Sequence, residues 1–475
     1  VEPGTPSTPR RLAHLSAVFL TLFLFVRTLC LEPFGVPTGS MAPALIGNHR
    51  EAPCPRCGYP VLVGEPGPDA RPVRFDGCRC PNCDQSVDLS DAREVPGDRL
   101  LVDKTAFVHR PPRRWEVAVF RCLADLSKPY VKRVAGLPGE RIAVRDGDLY
   151  ADGVLQRKTL AQVREVLVPV FDLSHPPAPT GWGVRWLVEP AAGTPASGLK
   201  PPKTADGSVL RGTALDLDGT KTPVGLTYRH WNLDGRFEEM IGDGLSYNGR
   251  PADRRDLFAR GRPDPVHDFA LSFELEVVGG TGTFAVRLND GGDTVRAELS
   301  AEGATLRPDA APELMRKGGF ALAAGKTYRV EFALVDRRAS LAIDGNEVVP
   351  ALDLPEPGRR APVSRPVQLG ATGVAVVLRN VKLSRDVHYQ ATGVAAGLGW
   401  QLAANEYFVL GDNAGNSYDS RGWQIDDRPA PGVPAADFLG KPFLIHQPMR
   451  LARVTATGRE RTFLSVDWDR VRWLR

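Results

Sequence analysis

Histidine is scarce in this chain: eight among 475 residues. They are scattered, and none sits in a recognisable triad context. No Gly-x-Ser-x-Gly elbow surrounds Ser40, so a serine nucleophile there needs a base other than histidine. Charge of one sign is also missing. With 60 basic against 56 acidic residues the net charge is +4, which gives no reason to propose nucleic acid as a partner. Only one apolar run is long enough to cross a bilayer. No tryptophan lies between Trp231 and Trp400, so a sugar-stacking platform has no obvious residue there.

What the chain does have is turn formers. Its 48 glycines and 42 prolines favour short strands over long helices. At 475 residues it exceeds one ordinary core, and two or more folded units are expected. Residues 1–11 end in Arg10-Arg11. The run Leu12–Leu31 that follows matches a membrane span of roughly 20 residues. The arginine pair on its near side predicts a cytoplasmic N-terminus with the rest on the exported side. A cleaved signal peptide is the alternative, but the sequence VRTLCLEPF holds no small-x-small cleavage site.

Four short blocks follow. VPTGSMAPAL, Val36 to Leu45, sets Ser40 just beyond the anchor. EVPGDRLLVDK, Glu94 to Lys104, reads as a turn and a strand. YVKRVAGLPGE, Tyr130 to Glu140, opens on a strand whose alternation turns Lys132 and Arg133 to opposite faces. YFVLGDNAGNSYDSRGW, Tyr407 to Trp423, is an apolar strand and then a polar loop. Singly each is a common turn or strand. In this order the set resembles the type I signal peptidases, membrane-bound serine endopeptidases that remove signal peptides from exported proteins. The resemblance rests on Gly39-Ser40-Met41 with Pro43, Gly97-Asp98, Lys132-Arg133-Val134 with Gly136 and Pro138-Gly139, and Gly411-Asp412-Asn413 with Asn416-Ser417 and Asp419-Ser420-Arg421. The chain departs from the family at Ala44, Glu140 and Ala414, none of them a nucleophile or base position.

That resemblance implies Ser40 as nucleophile and a neutral Lys132 as base. It implies Ser417 as the group orienting the lysine, with the Ser40 N–H and the Thr38 hydroxyl holding the oxyanion. Arg133, Asp412, Asn413, Asp419 and Arg421 would support the site. Phe34, Val36, Pro37, Met41, Leu45, Tyr130 and Val131 would line pockets for small residues at the first and third positions before the cut. The implied partners are signal-peptide-bearing preproteins and membrane lipid, at a cell inner membrane, with no cofactor for catalysis. Rivals are a LexA-like self-cleaving protein and a membrane-tethered binding protein with a relic core.

Two insertions divide the expected catalytic core, which would occupy 32–47, 94–160 and 391–475. In 48–93, Cys54 and Cys57 form one Cys-x-x-Cys, and Cys80 and Cys83 another. The spacing predicts a zinc ribbon with a structural zinc; two disulfides are the alternative, and Cys78 leaves the count odd. Residues 161–224 read as an irregular Pro/Gly-rich connector. In 225–390, alternating strands such as LSFELEV and YRVEFALV predict a concanavalin-like jelly roll whose partner the sequence does not name. Such a module has its own core, so removing it is expected to leave the site intact. The overall expectation is a mainly β protein: a LexA-like signal-peptidase core on one N-terminal helix.

Overall fold

A computed structural model describes residues 8–67, 73–122, 125–176, 185–189, 203–204, 210–232, 237–251, 263–391, 399–425, 428–456 and 459–474. It is mainly β. Helix α1 (Thr8–Phe25) continues into a π-helical turn, Val26–Cys30. Arg11–Cys30 is long and apolar enough to cross a membrane, and Leu12, Leu15, Val18 and Phe19 are exposed along it.

The core that carries the four motif blocks is built on one antiparallel sheet. Its strands are β1 (Leu31–Gly35), β2 (Arg99–Asp103), β3 (Val117–Cys122), β4 (Asp125–Gly136), β5 (Glu406–Leu410), β6 (Gly432–Pro434) and β7 (Phe438–Ile445), in the spatial order β1-β2-β7-β3-β4-β5-β6, with the short strand Arg472–Trp473 also paired to β7. The register sets Lys132 opposite Ala118 and Arg133 opposite Val117 on β3, with Arg133 opposite Leu410 on β5. Apolar residues pack both faces: Val36, Met41, Leu45, Leu100, Val102, Val117 and Val119 in one cluster, Phe120, Val134, Tyr407, Val409 and Trp423 in another. A four-stranded sheet over Arg141–Leu155 and Trp400–Gln401 flanks it, followed by the short helix Leu160–Val166. Thr159 caps that helix in a reciprocal box with Gln162.

The larger insert is a β-sandwich. Two long strands, Phe269–Asn289 and Val367–Arg385, pair antiparallel along its length. Its core holds Trp186, Tyr228, Phe273, Phe284 and Phe332. The sandwich begins earlier than its sequence pattern suggests. Val168–Asp172 and Ala214–Asp218 pair with Val367–Arg385, and Trp186–Glu189 joins through Val224–Tyr228. Part of the expected connector is therefore sandwich strand, hidden in the sequence by the prolines and glycines between short runs. The insert also reaches the core. Its 3-10 turn Ser246–Asn248 packs on the Ser40 turn, a contact the sequence did not announce.

Candidate active site

Ser40 lies in a 3-10 turn, Gly39–Met41, entered from β1. The Gly97-Asp98 block fastens this turn. Asp98 accepts from the Ile46 N–H at 2.8 Å through its carboxylate, its own N–H donates to the Ile46 carbonyl, and the Val36 N–H donates to its carbonyl. Arg470 caps the same carboxylate at 2.6 Å. A Cβ at Gly97 would fall 2.0 Å from the Val36 carbonyl oxygen, so only glycine lets the two segments close to this distance.

Lys132 Nζ stands 2.6 Å from Ser40 Oγ. The lysine is buried, as the strand pattern requires, and its neighbour Arg133 is buried too. Burial drops the Lys132 pKa from 10.5 to about 8; the Asp419 carboxylate pulls against this and the Arg421 guanidinium adds to it. Asp419 and Arg421 meet in a pair with bonds of 2.8 Å from Nε and Nη2. Asp419 also accepts from the Gly411 N–H at 3.0 Å. Arg133 turns the other way, to Asp412 and the Trp115 carbonyl.

Asn413 holds the Ser40 turn from the opposite side. Its side-chain amide donates to the Gly39 carbonyl at 2.9 Å and its backbone N–H to the Ser40 carbonyl at 3.1 Å. Ser417 Oγ is buried beside Gly411, without a hydrogen-bond partner among the described residues. Thr38 is exposed next to Ser40.

The expected pocket residues divide. Phe34, Val36, Met41, Leu45 and Val131 share one apolar cluster, Tyr130 belongs to the cluster on the Lys132 side, and Pro37 is exposed. Tyr247 and Asn248 touch the site without having been singled out from the sequence. A Ser-Tyr-Asn-Gly turn looks like any other turn, and no local pattern announces its contact.

The four cysteines also converge. Cys54, Cys57, Cys80 and Cys83 are buried, with ligand atoms within 4.8 Å of one another. Each Cys-x-x-Cys forms the same knuckle: the N–H of Gly58 donates to Cys54 and that of Asp84 to Cys80, both residues adopting positive φ. The Sγ atoms of Cys54 and Cys83 are 3.6 Å apart, those of Cys57 and Cys80 3.7 Å. Disulfide sulfurs bond at about 2.05 Å, so these four are thiols that can hold a metal. Cys78 turns away and donates to the Phe75 carbonyl.

The family model of signal peptidase, peptidase S26, matches residues 89–167 and 337–446. Lys132 and Ser417 fall within those blocks, and Ser40 precedes them. Signal peptidase I of Bacillus caldolyticus is 44% identical over 57 residues, 12% of this chain and 30% of that protein. Signal peptidase I of Leptolyngbya laminosa is 36% identical over 82 residues, 14% of this chain and 40% of that one. The Rickettsia conorii enzyme is 28% identical over 134 residues, 28% of this chain and 40% of that one. The chain thus spans less than half the length of these relatives. Among solved structures, a carbohydrate-binding module of Bacillus subtilis shares 15% identity over 25% of this chain and 75% of its own, at a TM-score of 0.19. An overlap that low supports no reading of the sandwich. The core assembled from the matched blocks is similar to that of the signal peptidases of the peptidase S26 family.

Proposed function

We propose that this chain is a membrane-anchored serine endopeptidase that removes signal peptides from exported preproteins, through a Ser40/Lys132 dyad. The 2.6 Å approach of Lys132 Nζ to Ser40 Oγ, on a lysine depressed to about 8, carries the reading. A base must be neutral to accept a proton, and a free lysine at about 10.4 is nearly always charged near neutral pH.

Ser40 Oγ attacks the scissile carbonyl as Lys132 takes its proton. The Ser40 N–H and the Thr38 hydroxyl stabilise the oxyanion. The lysine then protonates the leaving amine, and water, deprotonated by the same lysine, hydrolyses the acyl-enzyme. The buried Ser417 hydroxyl orients the lysine once a peptide covers the site. An extended substrate adds to a strand edge, and the apolar cluster of Phe34, Val36, Met41, Leu45 and Val131, with Tyr130 and Pro37, leaves room for small side chains. Helix α1 anchors the chain with its N-terminus in the cytoplasm and the core on the exported side.

The cysteine cluster holds zinc. Four thiolates at about 2.3 Å from a tetrahedral zinc stand about 3.8 Å apart, close to the 3.6 and 3.7 Å seen. Such a site is closed and structural. The test of the main reading is cleavage of a preprotein by the full chain in detergent. Ser40→Ala and Lys132→Ala should each abolish it; substantial cleavage by either variant refutes the dyad.

A further inference from the structure

Two contacts join the sandwich insert to the nucleophile turn. The first is steric. Tyr247 is buried at 5% exposure, and its Cε1 occupies the space beside two glycines from different parts of the chain. A Cβ on Gly39 would lie 2.2 Å from that atom, and one on Gly64, in the cysteine-bearing insert, 2.4 Å. The backbone next to Ser40 therefore rests directly on the Tyr247 ring. The Tyr247 hydroxyl donates to the Asn48 carbonyl at 3.4 Å, and the Asn48 N–H donates to the Pro37 carbonyl at the other end of the turn.

The second contact is polar and reciprocal. Asn248 donates to the Asn413 side-chain oxygen at 2.9 Å and accepts from the Asn413 amide at 2.6 Å. Two bonds between two amides fix the orientation of both. They keep the Asn413 amino group aimed at the Gly39 carbonyl, while the Asn413 backbone holds the Ser40 carbonyl. Both peptide groups around the nucleophile are thus held by a residue that is itself held by the insert.

The turn carrying these residues is fastened on both sides. Arg385, buried at the end of the long sandwich strand, donates to the carbonyls of Asp243 and Gly244 at 2.6 and 3.0 Å. On the far side, Arg250–Pro251 pairs with Val73–Arg74 of the cysteine-bearing insert. Gly249, at φ +60, makes the change of direction between them.

Building on the dyad reading above, we propose that Tyr247 and Asn248 are positioning residues for Ser40, so that turnover depends on the docked sandwich. A small misplacement of a nucleophile costs rate steeply, about a hundredfold for roughly 1 Å. Neither residue needs to touch the substrate. Their loss should lower kcat while leaving KM and the ionisation of Lys132 in place.

The experiment uses the full chain in detergent and a synthetic peptide with alanine at the first and third positions before the cut. Active sites are counted with a reagent that acylates Ser40. Asn248→Ala and Tyr247→Ala should each lower kcat per titrated site by about tenfold or more, with KM within about twofold and the acid limb unmoved. Tyr247→Phe should recover most of the loss, because the ring supplies the steric support. Asn248→Ser, a milder truncation, keeps the test open if Tyr247→Ala fails to fold. Wild-type kcat per site in both Asn248 variants overturns the proposal, as does a loss confined to KM or to the number of titratable sites. Peptide cleavage that survives Ser40→Ala overturns the dyad reading beneath it, a separate result.

Discussion

Arg133 and Asp412 meet through two parallel hydrogen bonds of 2.8 Å, Nε to Oδ1 and Nη2 to Oδ2, with both side chains almost wholly out of solvent. Arg133 Nη1 also donates to the Trp115 carbonyl at 2.6 Å. The pair ties β4, which bears Lys132, to the loop that bears Asn413 and Ser417. Removing Asp412 leaves buried Arg133 only the Glu165 carboxylate, 3.2 Å from Nη1, as a counter-ion among the described residues, and removing Arg133 strands the Asp412 charge. Asp412→Ala should therefore cost about 3–5 kcal/mol, whereas replacing both residues with Met and Leu should cost clearly less. Unfolding of the two single variants and the double variant measures this. Equal losses in single and double variants would show that the pair is not a coupled unit.

The pH dependence follows from Lys132. Protonated, it cannot accept the Ser40 proton, so kcat/KM should rise with pH through about 8 and fall about tenfold per unit below it. A pH–rate profile with no acid limb between pH 7 and 9 contradicts the assignment.

Asp419 and Arg421 tune that value in opposite senses. The carboxylate raises the lysine and the guanidinium lowers it. Arg421→Met leaves Asp419 unneutralised and should move the acid limb upward. Asp419→Asn should move it downward. Shifts of the same sign in both variants would mean that the pair acts through packing alone.

The depressed lysine also destabilises the fold. A drop from 10.5 to about 8 corresponds to roughly 3 kcal/mol, at about 1.36 kcal/mol per unit. The folded state resists the charged form, so the penalty is full below pH 8. It fades as the pH rises from 8 towards 10.5, where the unfolded lysine also loses its proton. Lys132→Met should thus be inactive yet more stable at neutral pH by up to about 3 kcal/mol. Thermal unfolding across that range should show the advantage shrinking as the pH rises. A variant less stable than wild type at pH 7 contradicts this.

Singly, a Gly-Ser turn and a lysine in an apolar strand are common features; it was the order of four blocks, resembling the type I signal peptidases, that named Ser40 and Lys132, and the structure sets their side chains 2.6 Å apart. The paired Cys-x-x-Cys, by contrast, is self-contained. What the sequence did not disclose depends on long-range placement. Val168–Asp172 looks too short and proline-broken to be called a strand until it meets Val367–Arg385. At Gly39 the space a side chain would fill belongs to Tyr247, a neighbour no local pattern names. Asn248 meets Asn413, 165 residues further along the chain, a contact no local spacing encodes.

The cysteine cluster yields the last prediction. Its apolar core is small: besides the cysteines it buries Val61, Val63, Val87 and Leu89. So few side chains supply little of the free energy that folding this segment needs, and metal should supply much of the rest. The segment is not isolated from the site. Gly64 lies under Tyr247, Gly67 lies beside the Thr38 methyl, and Asn82 bonds the Asp172 N–H at 2.7 Å and the His175 carbonyl at 2.7 Å. Chelation should therefore unfold residues near 54–87 first and lower turnover without altering Ser40 or Lys132, and restored zinc should recover it. Metal analysis of unreduced protein should return one zinc per chain, with the four thiols protected from alkylation until chelator is added. Protein that lacks zinc and shows these cysteines disulfide-linked would discard the metal reading and leave the ribbon stapled covalently.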